Sequence, residues 1–324
     1  MLDICIAIRT YNGEKHLAEI LDALQAQSDV EDLSWEVLVV DNCSTDSTAD
    51  IVRRYQASWQ SDSELRYYFE PTPGADIARR SAVEQARAPW IGFLDDDNTP
   101  ALGWVRAAVD FAKAHPKAGA FGSQIHGKFE AEPPRNFKRI AGFLPVIERS
   151  HSICFTEGLY DRKNVMPPGA GLVILRQAWM DCVPPKLILK GPVRGSLTLK
   201  GEDIEILTYI KQQGWEIWYN ANMHIYHHIP PERFDRDYLI RFFQGVGLSR
   251  YYTRTLGRPK WHKPAIVSAY LLNDLRKAAM FWMTNRDRIA GDAVIAGEFE
   301  LYRSSIMSPI DHIRRKYLSV DMQR

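Results

Sequence analysis

Short apolar runs alternate with amphipathic stretches through the first 123 residues, and no other feature restricts the fold as much. Ile4–Ile8, Val37–Val40, Arg66–Phe69, Trp90–Leu94 and Gly119–Ser123 read as strands. Runs this short and this apolar suit strands covered on both faces. Between them, Leu17–Gln27 places Leu17, Ile20, Leu21 and Leu24 on one helical face. Ser47–Trp59 reads as a helix begun by the Thr45-Asp46-Ser47 capping cluster, Asp76–Arg87 as one that follows the Pro71-Thr72-Pro73-Gly74 turn, and Trp104–Ala114 as a fourth. The rhythm predicts an α/β fold built on a mostly parallel, doubly wound sheet. Such sheets bind ligands beyond the carboxyl ends of their strands. Polar residues collect there: Thr10-Tyr11-Asn12 after the first strand, Asp41-Asn42 after the second and Asp95-Asp96-Asp97 after the fourth.

The rhythm breaks over Gly127–Pro168, as a functional loop or short-helix insertion does. Gly169–Arg176 regains strand character, Trp179 begins a short helix, and Pro184–Lys200 is again loop-like. Glu202–Gln213 reads as a helix and Glu216–Tyr226 as one or two strands. Beyond about residue 232 the sequence reads as helix, broken around Leu256–Pro264. The organisation expected is a nucleotide-binding and catalytic domain over 1–231 and a helical region over 232–324. A chain of 324 residues with formal charge +1 has the composition of a globular enzyme, and its charge gives no case for nucleic-acid binding by the whole molecule. Cys5, Cys43, Cys154 and Cys182 are widely spaced, the pattern of free thiols in a reducing compartment. No charged leader precedes Ile4, and the most apolar stretch, Ala265–Met283, is interrupted by Asp274, Arg276 and Lys277. The expectation is a cytoplasmic protein, or one lying on the inner face of a membrane without crossing it.

Adjacent carboxylates at Asp95, Asp96 and Asp97 repel one another unless a cation offsets them. They read either as a solvated acidic turn or as a metal–diphosphate site, and their place at a strand end favours the second. Asp41 suits a base N–H or a ribose hydroxyl, or else a turn cluster with Asp46. Glu202 and Asp203 open a helix after Gly201; capping explains one acid there, and a general base for a hydroxyl explains the other. Ala221, Met223 and Ile225 fall on one strand face, so His227 continues inward and His228 points to the other side. An inward imidazole there is a metal ligand, a phosphate donor or a core histidine.

In order along residues 3–230, these segments resemble the motifs of family-2 inverting glycosyltransferases with the GT-A fold. Thr10-Tyr11-Asn12 resembles the opening motif, and VVDNCSTDST (Val39–Thr48) the VVDDGSxDxT-like motif. Gly74–Arg79 resembles the segment ending in ARN, and FLDDD (Phe93–Asp97) the DxD motif. GAGLVILR (Gly169–Arg176) resembles the acceptor-side glycine strand, and Gly201-Glu202-Asp203 the ED motif. The resemblance implies a GT-A-type doubly wound mixed sheet with a C-terminal helical extension. Asp41 would meet the nucleobase with Thr10, Tyr11 and Asn12 nearby, while Arg79, Asp95 and Asp96 would hold the donor. Asp97 would bind Mn²⁺ or Mg²⁺, His227 would complete the metal shell, and Asp203 would be the base. The implied donor is a nucleotide-sugar, a UDP-sugar favoured, and the implied acceptor a glycan or lipid-linked hydroxyl of bacterial polysaccharide synthesis. The sequence departs from the family at Asn42, Cys43 and Arg80, where Asp, Gly and Asn are usual. It lacks the QxxRW motif of processive synthases, which favours transfer of a single sugar.

Competing functions are weaker. A dehydrogenase needs a GxGxxG turn where this chain has Arg9-Thr10-Tyr11-Asn12-Gly13. A sugar nucleotidyltransferase needs a Gly-rich phosphate loop near the start, and a degenerate binding subunit would not keep Asp95, Asp97 and Asp203. In the helical region, Arg241, Arg250, Arg254, Arg258, Lys260 and Lys263 face no acid between Asp237 and Asp274, and Tyr251, Tyr252 and Trp261 interleave with them. Residues 238–273 therefore read either as an anionic-membrane contact or as an ordinary helix face. Ala265–Met283, with Tyr270, Leu271, Leu275, Ala278 and Trp282, reads as core.

Overall fold

The computed structural model describes residues 2–156, 166–189 and 199–321. Parts of the two irregular stretches, 157–165 and 190–198, lie outside the described residues. The chain divides into two compact units: Met1–Lys128, Gly142–Lys186 and Ile206–Ile229 form the first, and Phe129–Ala141, Leu187–Glu205 and Pro230–Arg324 the second.

The first unit is built on β1 (Ile4–Thr10), β2 (Trp35–Asp41), β3 (Glu64–Phe69), β4 (Trp90–Asp95), β5 (Asn98–Pro100), β6 (Ala118–Phe129), β7 (Ile153–Cys154), β8 (Val173–Leu175) and β9 (Glu216–Ile229). They join in one mixed sheet of order β3-β2-β1-β4-β8-β6-β9-β5, with β7 beside β9. The β3-β2-β1-β4 half is parallel, while β8 runs antiparallel to β4 and β6, and β5 and β7 run antiparallel to β9. Every residue of β2 is buried, as are six of the seven in β1, because both faces are covered. The helices are α1 (Leu17–Gln25), α2 (Thr48–Ser58), α3 (Ala75–Gln85), α4 (Trp104–Ala114) and α5 (Arg176–Cys182). As its spacing predicts, α1 turns Leu17, Ile20, Leu21 and Leu24 inward, all with no exposed surface. Burying four such side chains contributes roughly 6–12 kcal/mol before chain entropy is subtracted. No side chain caps α1, so this apolar face is what holds it.

One buried charge ties the parallel strands together. Glu36 on β2 has no exposed surface, and its carboxylate accepts bonds from Arg66 Nη1 at 2.9 Å and from the Arg87 backbone N and Nε, both at 2.8 Å. Burial alone would raise its pKa; these donors bring it below the usual carboxylate value. Cys5 lies opposite in register, and burial followed by the Glu36 charge pushes its thiol well up. All four cysteines are free.

Several elements differ from expectation. The strand expected at Gly119–Ser123 continues to Phe129, and the one or two strands expected over Glu216–Tyr226 are a single strand that runs on to Ile229. In Gly169–Arg176 only Val173–Leu175 is strand, since Arg176 already opens α5. The three-residue β5 directly after the acidic triplet has no periodic signal of its own; its pairing with β9 creates it.

The second unit contains α6 (Glu202–Gln212) at its first turn, then α7 (Arg236–Leu248), α8 (Arg250–Thr255), α9 (Lys263–Ile289) and α10 (Ala293–Asp321). Here α7 and α10 approach closely: a Cβ on Gly247 would lie 2.6 Å from the Ser304 side chain and 2.9 Å from the Leu301 carbonyl. The stretch Ala265–Met283 corrects the expectation of a core helix. Only Asp274 and Phe281 of α9 are buried, whereas Tyr270, Leu272, Leu275, Met280, Trp282 and Met283 are exposed. The inward stripe is centred on a charged residue. Asp274 forms a bidentate ion pair with Arg254, so the apolar majority of the helix falls on the side facing away. Among the described residues no helix is long and apolar enough to cross a membrane.

Candidate active site

In the first unit, α1 leads from β1 out to β2 and α3 leads from β3 back to β4 on the other side of β1, which makes this the switch point where open α/β sheets bind ligands. Register then fixes the neighbours: Thr10 lies opposite Asp41, and Arg9 opposite Asp95. Arg9 Nη2 pairs with the Asp95 carboxylate, while its Nη1 donates to the Ala75 carbonyl at 3.3 Å. Asp96 turns back toward the end of β1, where Oδ2 accepts from the Thr10 hydroxyl at 3.0 Å and the Tyr11 N–H at 3.2 Å. Burial first, then the Asp97 charge, pushes the Asp96 carboxyl up to about 6 against those two donors.

Asp97 is positioned by the β5–β9 ladder. Asn98 lies opposite His227, and the His228 N–H donates to the Asp97 carbonyl at 2.9 Å. Asn98 Nδ2 donates to Asp97 Oδ1 at 2.8 Å, leaving Oδ2 3.5 Å from His227 Nε2. His227 is 5% exposed, and its Nδ1 has no hydrogen-bond partner among the described residues. The inward reading of His227 therefore fits its burial. His228, on the other face, is also buried: Nε2 lies 3.1 Å from Glu19 Oε1 and 3.3 Å from the Thr99 hydroxyl, and its ring packs on His16 at 4.5 Å between centroids. Lys128 Nζ completes this group at 3.0 Å from the same Glu19 oxygen.

The donor-side loops interlock. Asp41, 1% exposed, accepts from the Ser44 N–H at 2.9 Å and the Tyr67 hydroxyl at 2.7 Å. Burial and then this carboxylate raise the Tyr67 pKa. Asn12 adopts a left-handed backbone, φ 55°, and its Oδ1 accepts the Thr45 N–H at 2.8 Å while its own N–H reaches Ser44 Oγ at 2.9 Å. Asp46 is the turn cluster expected of it, accepting from Thr48 Oγ1 at 2.6 Å and the Glu14 N–H at 3.1 Å. The two departures from the family here have local causes. Asn42 Nδ2 donates to the Thr72 carbonyl at 2.6 Å and to Glu70 O at 3.3 Å while Oδ1 accepts from the Gly74 N–H at 2.7 Å, a double role that Asp cannot fill. Cys43 occupies φ 66°, the region that favours glycine, and its thiol reaches the Glu70 carbonyl at 3.3 Å.

Arg79 is 1% exposed, with its guanidinium carbon 5.4 Å from the Phe93 ring centroid. Its Nη2 would lie 2.6 Å from a Cβ on Gly169, so that glycine makes room for it. Asp203 belongs to the second unit, where Gly201, at φ 104°, turns the chain into α6. Asp203 Oδ1 accepts the Ile204 N–H at 2.9 Å, and the buried Glu205 accepts the Ile188 and Leu189 N–H groups at 2.9 and 2.7 Å. The structure thus gathers Thr10, Tyr11, Asn12, Asp41, Asp95, Asp96, Asp97 and His227 in the first unit. Sequence reasoning missed Arg9, Tyr67 and Asn98. Arg9 carries a readable signal, a lone cation at the end of an apolar strand.

The residues fit a divalent cation. A carboxylate oxygen and a buried imidazole nitrogen 3.5 Å apart are too far for a hydrogen bond and near the spacing of neighbouring ligands on one ion. The carboxylate oxygen suits a hard divalent ion beside phosphate, and the imidazole nitrogen adds a ligand that first-row transition ions accept.

Of the six basic residues in 238–273, two are turned into the second unit. Arg254 pairs with Asp274, and burial, then the Arg254 charge, lowers the Arg250 pKa. Tyr251 stacks on His312 at 3.9 Å, and the Tyr252 hydroxyl lies 2.9 Å from His312 Nδ1. That segment does not present its cations and aromatics as one face.

Residues 5–183 match the family described as Glycosyl transferase family 2, and the chain belongs to it. Among its relatives is a putative teichuronic acid biosynthesis glycosyltransferase, TuaG, of Bacillus subtilis, 31% identical over 96 residues, which are 29% of this chain and 36% of that protein. Another is the poly(ribitol-phosphate) β-N-acetylglucosaminyltransferase TarS of Staphylococcus aureus, 30% identical over 115 residues, 36% of this chain and 20% of the relative. The matches span little more than a third of these relatives at most. In three dimensions the chain resembles S. aureus TarS 1–349 in complex with UDP-GlcNAc, with TM-score 0.52 and 16% identity over 97% of this chain and 92% of that one. It also resembles a mannosyltransferase from Pyrobaculum calidifontis in complex with GDP-Man and Mn²⁺, with TM-score 0.59 and 20% identity over 96% and 87%. The fold is the GT-A-type arrangement with C-terminal helices.

Proposed function

We propose that this chain is a metal-dependent inverting glycosyltransferase that moves one sugar from a nucleotide-sugar, a UDP-sugar favoured, onto an acceptor hydroxyl of a glycan or lipid-linked carrier. The observation that carries the reading is the facing of Asp97 by the buried His227 at the carboxyl end of β4. Asp97 and His227 would hold Mn²⁺ or Mg²⁺, whose chemistry is to offset charge on the leaving diphosphate. Asp41, held by Ser44 and Tyr67, shapes the nucleobase pocket with Thr10, Tyr11 and Asn12. Arg79 and Asp96 keep the donor loops in place, and the Arg9–Asp95 pair limits the negative charge that meets the diphosphate. In a single displacement the acceptor oxygen bonds to the anomeric carbon as the bond to the diphosphate breaks, and Asp203 takes the hydroxyl proton. Single addition in bacterial polysaccharide synthesis fits the absence of the processive motif and the relatives' names.

Calorimetry with UDP, with and without Mn²⁺, tests this. The parent should bind UDP tightly only with the metal, and Asp97→Ala should lose that dependence. Equal metal-dependent binding by Asp97→Ala would remove the assignment. Release of nucleoside diphosphate rather than pyrophosphate from a sugar donor separates transfer from nucleotidyl chemistry.

A further inference from the structure

Among the described residues, nothing covers the outward face of α9. At 100° per residue, Ala265, Leu272, Ala279 and Met283 line the side opposite Asp274 and Phe281, flanked by Leu275 and Trp282 on one edge and Arg276 and Met280 on the other. The side chains stand well clear of the protein: Leu272 is 69% exposed, Met283 64%, Met280 52%, Leu275 47% and Trp282 46%. Trp261, just before the helix, is 76% exposed. A run of large apolar side chains turned to water along a helix this long marks a binding face.

Charge says what covers it. Between Gly257 and Ala290 the sequence has seven Lys and Arg against two Asp, in a chain whose total charge is +1. One of those acids, Asp274, is consumed by Arg254 inside the unit, which leaves Asp287 as the sole exposed acid of α9. Lys260, Arg276 and Arg286 are exposed beside the apolar stripe. A second copy related by a two-fold axis would bring this same basic face against itself. An anionic bilayer surface instead offers phosphates to the rim and acyl chains to the centre, with tryptophan at the boundary. Since no described helix is apolar enough to cross a bilayer, the contact is one that lies along the surface.

We infer that α9 is a peripheral docking helix, which seats Leu272, Trp282 and Met283 among the headgroups of an anionic membrane. This relocates the contact from the segment 238–273 to the helix 263–289, and it does not depend on the donor or on catalysis. The surface is one on which a lipid-linked acceptor would be presented, whatever its sugar.

Vesicle co-sedimentation of the full chain decides it. Phosphatidylcholine vesicles containing phosphatidylglycerol should pellet the protein at low salt, phosphatidylcholine alone should not, and added salt should release it. Leu272→Ser with Met283→Ser should weaken binding, and Lys260→Ser, Arg276→Ser and Arg286→Ser together should weaken it on the order of tenfold or more. Both sets should keep the parental melting curve by circular dichroism, because the altered side chains lie at the surface. Equal pelleting with neutral lipid, no pelleting with anionic lipid, or parental binding by both variants would overturn the inference. So would self-association in sedimentation velocity that Leu272→Ser with Met283→Ser abolishes, because the face would then belong to a second copy.

Discussion

Asn42 shows how a single side chain can be bound by its surroundings rather than by the family pattern. Its amide donates to two carbonyls and accepts one N–H, stitching the end of β2 to the turn before α3. Asn42→Asp would restore the usual family residue yet set a carboxylate against the Thr72 and Glu70 carbonyls. Urea unfolding should show a loss of about 1–3 kcal/mol, and an unchanged midpoint would leave Asn42 without this role. Asp203→Asn keeps the shape of the proposed base and removes its basicity. Donor binding should persist while transfer falls roughly 10²–10⁴-fold. Parental turnover would move the search to Glu202. Most of the candidate site was legible at this scale because acids at strand ends are visible in a linear string. Asp95, Asp96 and Asp97 needed only their position after an apolar run. Arg9 and Tyr67 were not, since their partners lie 86 and 26 residues away and only strand register brings them together.

Elements were legible where periodicity and environment agree. β1, β2 and α1 follow their sequence patterns closely, with burial on the faces predicted. β5 was not, because three residues carry no period, and α9 was misassigned because a buried ion pair occupies its inner stripe. The Glu36 cluster holds β2, β3 and the segment after α3 at the same point. Glu36→Gln should cost on the order of 2–3 kcal/mol at neutral pH, below what breaking a fully buried pair costs, since Arg66 and Arg87 keep partial access to water. Because the folded state depresses the Glu36 pKa, the unfolded chain binds the proton more readily. Its stabilisation is complete above the unfolded value, about 4.3, and is lost as pH falls through the folded one. The gap between parent and Glu36→Gln should therefore narrow below about pH 4.3 in chemical denaturation. A constant gap would mean that packing, not ionisation, sets the cost.

At the scale of the whole molecule, a net charge of +1 conceals an uneven distribution. Replacing Lys260, Arg276 and Arg286 by Ser should advance elution from a cation exchanger more than the same change at Arg53, Arg54 and Lys113. Both variants have the same formal charge, so equal shifts would show that the basic side chains around α9 do not act as one patch.

The insertion of β8 between β4 and β6 also sets a clock on synthesis. β4 ends at Asp95, but the strand that covers its free edge begins only at Val173. At ribosomal rates of about 5–20 residues per second, the intervening segment takes roughly 4–16 s to appear. For that interval the nascent chain carries an apolar strand whose outer hydrogen-bonding groups await a partner, the condition in which neighbouring polysomes exchange strands and precipitate. Slower reading of the messenger, or shielding of that edge by a chaperone, should therefore change the recombinant yield of folded protein even where the finished chain's stability is unchanged.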